Sequence, residues 1–267
     1  MTAAALPALR TPRRRDVSLA AWQVRYELRA LWRNRRATIF SFIFPVMLLV
    51  MFGTLNQGQT IRDGLPFLTF YVPGILAYGV LTSCFMSLAV SLSFARSTGL
   101  LKRVQGTPLP WWVFVVGRIG ASLVVAGAMA ATVLALGWFA YGVPVRAATL
   151  PGLASTLILG VTCFTLLGIG ASRVIPAESG GPILGAVVFP VAFVSSVFFP
   201  MDGAPSWLVD IGKALPLRPL ADGMQTAFDP HTAGPGFVGA DLLTLAAWIV
   251  VGSWLMMKFV RSLTSRA

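Results

Sequence analysis

From Gly64 to Ala95 the chain carries no Asp, Glu, Lys or Arg. A helix in water must present one polar face, whereas a helix crossing a bilayer needs about 20 consecutive apolar residues. A run of that length therefore predicts a membrane span, and five further stretches share its character. The predicted spans are Ala37–Leu55, Phe67–Ala95, Trp111–Tyr141 (interrupted only by Arg118), Ala147–Ser172, Ser179–Pro200 and about Ala240–Val260. Only 11% of all residues are charged, too few to cover a soluble domain, where roughly 25% is usual. The expectation is an all-α membrane protein, with six transmembrane helices forming one domain over residues 37–260 and no separate soluble domain.

The net charge of +12 would fit nucleic acid, but the basic residues lie between the apolar stretches instead of forming one patch. Membrane topology explains them better, and no nucleic-acid partner is expected. With both ends inside, seventeen Lys and Arg fall in cytoplasmic segments and only Arg62, Arg146, Lys213 and Arg218 fall outside. Positive loops are retained in the cytoplasm, so this bias predicts cytoplasmic N- and C-termini, with residues 261–267 as the C-terminal tail. The first apolar stretch follows a long basic leader, and Phe52-Gly53-Thr54-Leu55 is not a small-residue cleavage site. An uncleaved anchor is expected.

The leader divides in two. Residues 1–16 read as a disordered cytoplasmic tail, while residues 17–36 lack Pro and Gly and predict a helix with Asp16 or Ser18 as its N-cap. Arg25, Arg29, Arg33 and Arg36 lie along one side of it, with Trp22 among the apolar residues elsewhere on its surface. Such a helix suits the inner leaflet, where anionic membrane lipids attract basic side chains. Setting topology alone would equally account for the arginines.

Between the second and third spans, Ser97 can cap a short helix over about Gly99–Gln105 that Gly106, Pro108 and Pro110 would end. Arg96, Leu100, Leu101, Lys102, Arg103, Val104 and Gln105 would form a rigid docking element for a cytosolic partner, or merely a tight inside turn. The segment Met201–Gly239 on the other side is too apolar for a solvent-exposed loop. Trp207, Leu208 and Ile211, then Leu217, Leu220 and Met224, recur at helical spacing on either side of Pro216. Two short helices dipping back into the outer leaflet are predicted, a re-entrant hairpin before the last span.

Catalytic chemistry is missing from the sequence. No Gly-x-x-x-x-Gly-Lys-Ser/Thr phosphate loop occurs, so ATP binding by the usual route is not expected of this chain. Cys84 and Cys163 lie in apolar stretches without metal-ligand spacing, and His231 sits in a turn-rich outer segment as a surface residue. Neither a catalytic site nor a bound metal or cofactor is expected. Asp241, Glu178 and Arg118 all lie near predicted span ends and read as interface anchors more than as an ion relay. Ser83, Ser87 and Ser91, at i, i+4 and i+8, put small hydroxyls on one face of the second span, where close helix packing is the first reading and substrate contact the second. Gly117, Ala121 and Gly168 serve the same packing, and Gly180-Gly181-Pro182 can bend the entrance to the fifth span.

Two stretches, Leu100-Leu-Lys-Arg-Val-Gln-Gly-Thr-Pro-Leu-Pro110 and Phe198-Phe-Pro-Met through Pro205-Ser-Trp-Leu and Leu215-Pro-Leu-Arg-Pro-Leu-Ala-Asp-Gly223 to Phe228, complete the picture. In this order within six spans, over about Val17 to Arg261, they resemble the permease subunits of type 2 ABC exporters. The daunorubicin-resistance-like group of bacterial multidrug exporters is the nearest in flavour. The resemblance implies that Arg96 to Gln105 form a coupling helix docking on a separate nucleotide-binding ATPase, and that the outer hairpin narrows the exit. It implies a dimer with a second permease, identical or related, in a bacterial inner membrane. ATP and Mg would sit on the partner ATPase, and the cargo would be lipophilic or amphipathic. The acidic residues common in the family's inside segment are absent here, where Arg96, Lys102 and Arg103 carry the charge. An ion-coupled secondary transporter and a non-transporting membrane scaffold or assembly protein are the alternatives.

Overall fold

The computed structural model describes residues 14–33, 35–61, 64–101, 110–144, 146–201 and 203–264, with side chains at 14–17, 31–41 and 263–264 left aside. Among the described residues every regular element is helical, apart from one isolated bridge between Thr60 and Pro66. In chain order they are α1 (Arg14–Arg33), α2 (Arg35–Leu55), α3 (Phe67–Val80), a π-helical segment (Leu81–Ser87) and α4 (Leu88–Ser97). Then follow α5 (Trp111–Tyr141), a 3₁₀ turn (Ala147–Thr149), α6 (Leu150–Ala171), α7 (Gly180–Val194), α8 (Ser206–Ala214), α9 (Leu217–Phe228) and α10 (Gly239–Thr264).

Among the described residues four helices are long and apolar enough to cross a membrane: Phe67–Ser97, Trp111–Tyr141, Ala147–Ala171 and Gly239–Ser262. Two apolar helices, Phe42–Leu55 and Gly180–Val194, are shorter. Proline marks the entrances, since Pro66, Pro110, Pro205 and Pro216 each directly precede a helix; a fixed φ and a missing N–H cost nothing there. At its far end α5 is closed by Gly142, whose φ of +65° only glycine adopts freely.

The fifth predicted span is corrected. Its helix stops at Val194 and not at Pro200. Ser196 adopts a left-handed φ of +58°, and its N–H donates to the Phe193 carbonyl while the Val197 N–H donates to that of Ala192. That pair of bonds closes the helix in a Schellman turn, with serine in the place usually held by glycine. The 15 residues of α7 reach about 22 Å, short of the roughly 30 Å hydrocarbon core. Ser195 to Phe198 continue as a buried turn. The leader helix is also shifted: it is already helical at Arg14, so Asp16 and Ser18 lie inside it and not at its N-terminus.

α3 is the centre of the bundle, every residue of it except Phe70 being buried. It is packed by α2, α5, the π segment and α9. Glycines set the closest approaches. A Cβ on Gly168 of α6 would stand 3.0 Å from the Cys84 and Phe85 carbonyl oxygens, one on Gly170 2.6 Å from Leu255 Cβ, and one on Gly252 of α10 3.0 Å from Leu166 Cβ. Small residues where helix backbones touch are the usual solution in lipid, where packing rather than water exclusion drives association. Large apolar side chains remain exposed on the perimeter, Leu243 and Val250 of α10 and Val187 of α7 among them. Such a surface suits hydrocarbon.

Candidate functional site

α1 does not simply lie on the bundle; it is docked against α5 by a buried ion pair. Gly117 and Gly120 leave the space, for a Cβ at either would collide with Gln23 or Val24 of α1. Through this gap Glu27 reaches Arg118, Nη1 to Oε2 2.8 Å, and accepts a second bond from Gln23 Nε2 at 3.1 Å. Arg118 also stacks over the Phe114 ring, while its Nε is buried without a partner. Burial raises the Glu27 carboxyl above its usual range, against the opposing pull of Arg118 and Gln23. Arg118 is therefore a partner of α1, and the interface-anchor reading is replaced.

The opposite face of α1 carries exposed side chains. Trp22, Arg25, Tyr26 and Arg29 are exposed there, and the Trp22 and Tyr26 rings stack at 5.9 Å. The side chains of Arg33 and Arg36 lie outside the described residues. An aromatic and basic outer face fits the lipid interface.

Behind the ion pair lies a cavity bounded by α1, α2, the π segment, α4 and α5. Ser83, Ser87 and Ser91 line it together with Ser122, Glu27 and Arg118. The serine row thus borders a space of mixed lining, with Phe42, Leu88, Ala121 and Val125 beside the hydroxyls, instead of serving helix contact alone. Ser83 Oγ donates to the Gly79 carbonyl at 2.6 Å. The π segment, with its i→i+5 pattern, widens the helix where the row begins, and such bulges recur at functional sites.

At the inside corner the predicted docking residues separate. The Arg96 guanidinium donates to the Arg173 carbonyl and, at 3.0 Å, to that of Ile175, binding the end of α4 to the turn after α6. Leu101 is buried with Leu88, Leu92, Phe114, Ile169 and Phe259, whereas Leu100 is half exposed. The Ser97 hydroxyl donates back to the Phe94 carbonyl. Gly99 breaks the helix with a φ of +73°. Lys102, Arg103, Val104 and Gln105 lie outside the described residues.

In the opposite hairpin the two helices take different roles. Trp207 and Ile211 of α8 are exposed with Leu208 half-buried, while Leu217, Leu220 and Met224 of α9 have no exposed surface. Gly160 of α6 leaves room for Leu220, and Gly223 packs on Thr156. Gln225 Nε2 donates to the Ser196 carbonyl at 3.1 Å, which joins α9 to the turn that ends α7. Trp248 Nε1 of α10 donates to the Ala214 carbonyl. Asp241 is in the first turn of α10, Glu178 is exposed, and His231 is exposed with its N–H on Asp229.

Sequence reasoning missed Glu27, Gln23 and Ser122. Glu27 carried a signal: it is the one carboxylate between Asp16 and Asp63, as Arg118 is the one charge in the third span. Two isolated opposite charges next to apolar chain invite pairing.

Apolar helices long enough to span a bilayer, packed through glycines around a half-buried hairpin, define an integral membrane protein. Residues 21–228 match the model of the ABC-2 type transporter family. The chain belongs to that family. It is similar to the daunorubicin resistance ABC transporter permease protein DrrB1 of Streptomyces coeruleorubidus, 27% identical over 248 residues, covering 87% of this chain and 84% of the relative. The probable multidrug ABC transporter permease YbhR of Escherichia coli (strain K12) is 28% identical over 159 residues, 57% of this chain. The match spans only 42% of YbhR's own length. Heme exporter protein B of Paracoccus denitrificans (strain Pd 1222) is 28% identical over 172 residues, 59% of this chain and 69% of the relative.

Proposed function

We propose that this chain is the membrane permease subunit of an ATP-binding cassette exporter that moves a lipophilic or amphipathic compound, a drug or a lipid-like molecule, outward. The observation that carries the reading is the ABC-2 family match, which runs from α1 through both the inside turn and the α8–α9 hairpin. Two permeases, identical or related, pair with two copies of a separate ATPase that binds Mg-ATP. The six apolar segments traverse a bacterial inner membrane, the fifth as α7 together with the buried turn that follows it, and the excess of Lys and Arg in alternate segments supports cytoplasmic termini.

In this arrangement the segment from Leu100 to Gln105 is the contact with the ATPase. Arg96 holds it to the turn after α6, so a push at the inside corner reaches α4 and α6 together. The buried α9, wedged between α3 and α6, narrows the outer exit. Lys102→Glu with Arg103→Glu tests the contact: membrane insertion is retained and co-purification of the ATPase falls. Unchanged co-purification removes the docking role.

A further inference from the structure

Phe42 of α2 lines two cavities, one that mixes hydroxyls and an ion pair with apolar side chains and one that is almost wholly apolar. On one side is the serine-lined cavity, about 60 Å³, enough for several water molecules. On the other is an open groove of about 540 Å³, walled by Ile43, Met47, Val50 and Met51 of α2 with Thr132 of α5. Both follow the seam between α2 and α5, because Ser122 and Val125 border the first and Thr132, two to three turns further along, borders the second.

Their polar and apolar inventories are complementary. In the cavity Arg118 and Glu27 neutralise each other, so an ionic group placed there would bring an uncompensated charge into a medium of low polarity. A hydroxyl or carbonyl brings none. It can exchange hydrogen bonds with Ser87, Ser91 and Ser122, and it offers an acceptor near Arg118 Nε, which is buried without a partner. The groove beside it is walled by apolar side chains, of which Ile43, Met47, Val50 and Met51 are exposed, and its two methionines adapt to tails of different shape.

We propose that the cavity and the groove form one binding site for an uncharged amphiphile drawn from the bilayer. Its hydroxyl- or carbonyl-bearing head lies among the serines, and its apolar tail lies along α2 past Phe42. This inference rests on the reading of the chain as a permease for lipophilic or amphipathic cargo and specifies the charge class of that cargo.

The test uses the full chain in lipid nanodiscs without any ATPase or nucleotide. It is photolabelled with a monoacylglycerol carrying a diazirine in its acyl chain, and labelled peptides are quantified by mass spectrometry. Label concentrates on Met47 to Met51 over the similarly exposed Val187 to Phe193 of α7. Unlabelled monoacylglycerol competes; a fatty acid and an alkyltrimethylammonium of equal chain length do not. Ser87→Val with Ser122→Val lowers α2 labelling about fivefold or more, the factor expected for losing hydrogen bonds of about 1 kcal/mol each, and leaves α7 labelling unchanged. Ser87→Thr with Ser122→Thr keeps both hydroxyls and keeps the label. Equal labelling of α2 and α7, competition by either ion, no response to the valine pair, or loss of label in the threonine pair overturns the site. Because no transport is measured, a failure of ATP-driven export and a failure of this site are read separately.

Discussion

Arg118 Nη1 of α5 and Glu27 Oε2 of α1 lie 2.8 Å apart with both side chains largely buried. The leader helix is thereby a packed part of the bundle, and its Trp22, Arg25 and Arg29 face is left exposed while its Gln23–Glu27 face is closed on α5. Any movement of α5 carries α1 with it.

Arg118→Met removes the cation and leaves the carboxylate of Glu27 buried alone. Breaking a buried pair from one side costs about 3–5 kcal/mol, whereas replacing both partners by apolar groups is often neutral or better. The Glu27 pKa, already raised by burial, rises further in the variant. A carboxyl whose folded pKa is raised stabilises the docked state below its unfolded value, and that stability is lost as pH rises through the folded value. Trypsin cleavage after the exposed Arg25 and Arg29 is therefore fast in Arg118→Met at neutral pH and slower near pH 4.5, where the probe is limited proteolysis followed by pH-quenched mass spectrometry. Arg118→Met with Glu27→Leu restores resistance.

Gly168 of α6 packs directly on the backbone of the π segment at Cys84 and Phe85, and Gly168→Val has to push the helices apart. A loss of about 1–3 kcal/mol is expected for overpacking of this kind, read as a lower midpoint of thermal unfolding in detergent. Gly127 of α5 has nothing within 4 Å of its would-be Cβ. Gly127→Ala should leave the midpoint unchanged or raise it, by up to about 1 kcal/mol of helix preference.

Arg96→Ala frees the carbonyls of Arg173 and Ile175. Hydrogen exchange of the turn from Ser172 to Ser179 should accelerate strongly, since each bond from a charged donor contributes about 1.5–3 kcal/mol. Lys102→Glu with Arg103→Glu should leave that turn protected. The two variants thereby separate a residue that braces the corner from residues that meet the ATPase.

Much of the helical framework was legible because lipid imposes simple rules. The uncharged run from Gly64 to Ala95 and the stretch from Trp111 to Tyr141 correspond to continuous helices, and Pro216 does divide the hairpin into α8 and α9. Hydropathy misread the end of the fifth span because Ser195 to Phe198 are as buried as a helix would be while the backbone turns through Ser196. Apolar sequence reports burial, and only the left-handed serine reports the turn. The split of Leu100 from Leu101, one outward and one inward, follows from the break at Gly99, which a helical wheel started at Ser97 cannot anticipate. The cavity was hidden for another reason: its serines come from two helices, and its ion pair joins residues 27 and 118, with no local pattern linking them.

The central claim is that this chain forms the transport path and draws its energy from another subunit. The most direct measurement is reconstitution of the purified chain into vesicles with and without a candidate P-loop ATPase, following nucleotide hydrolysis and the movement of a lipophilic fluorescent compound in the same samples. The chain alone hydrolyses no ATP and moves nothing; with its ATPase, transport appears and requires ATP. Robust hydrolysis by the chain alone, or transport driven by an ion gradient without the ATPase, contradicts the account.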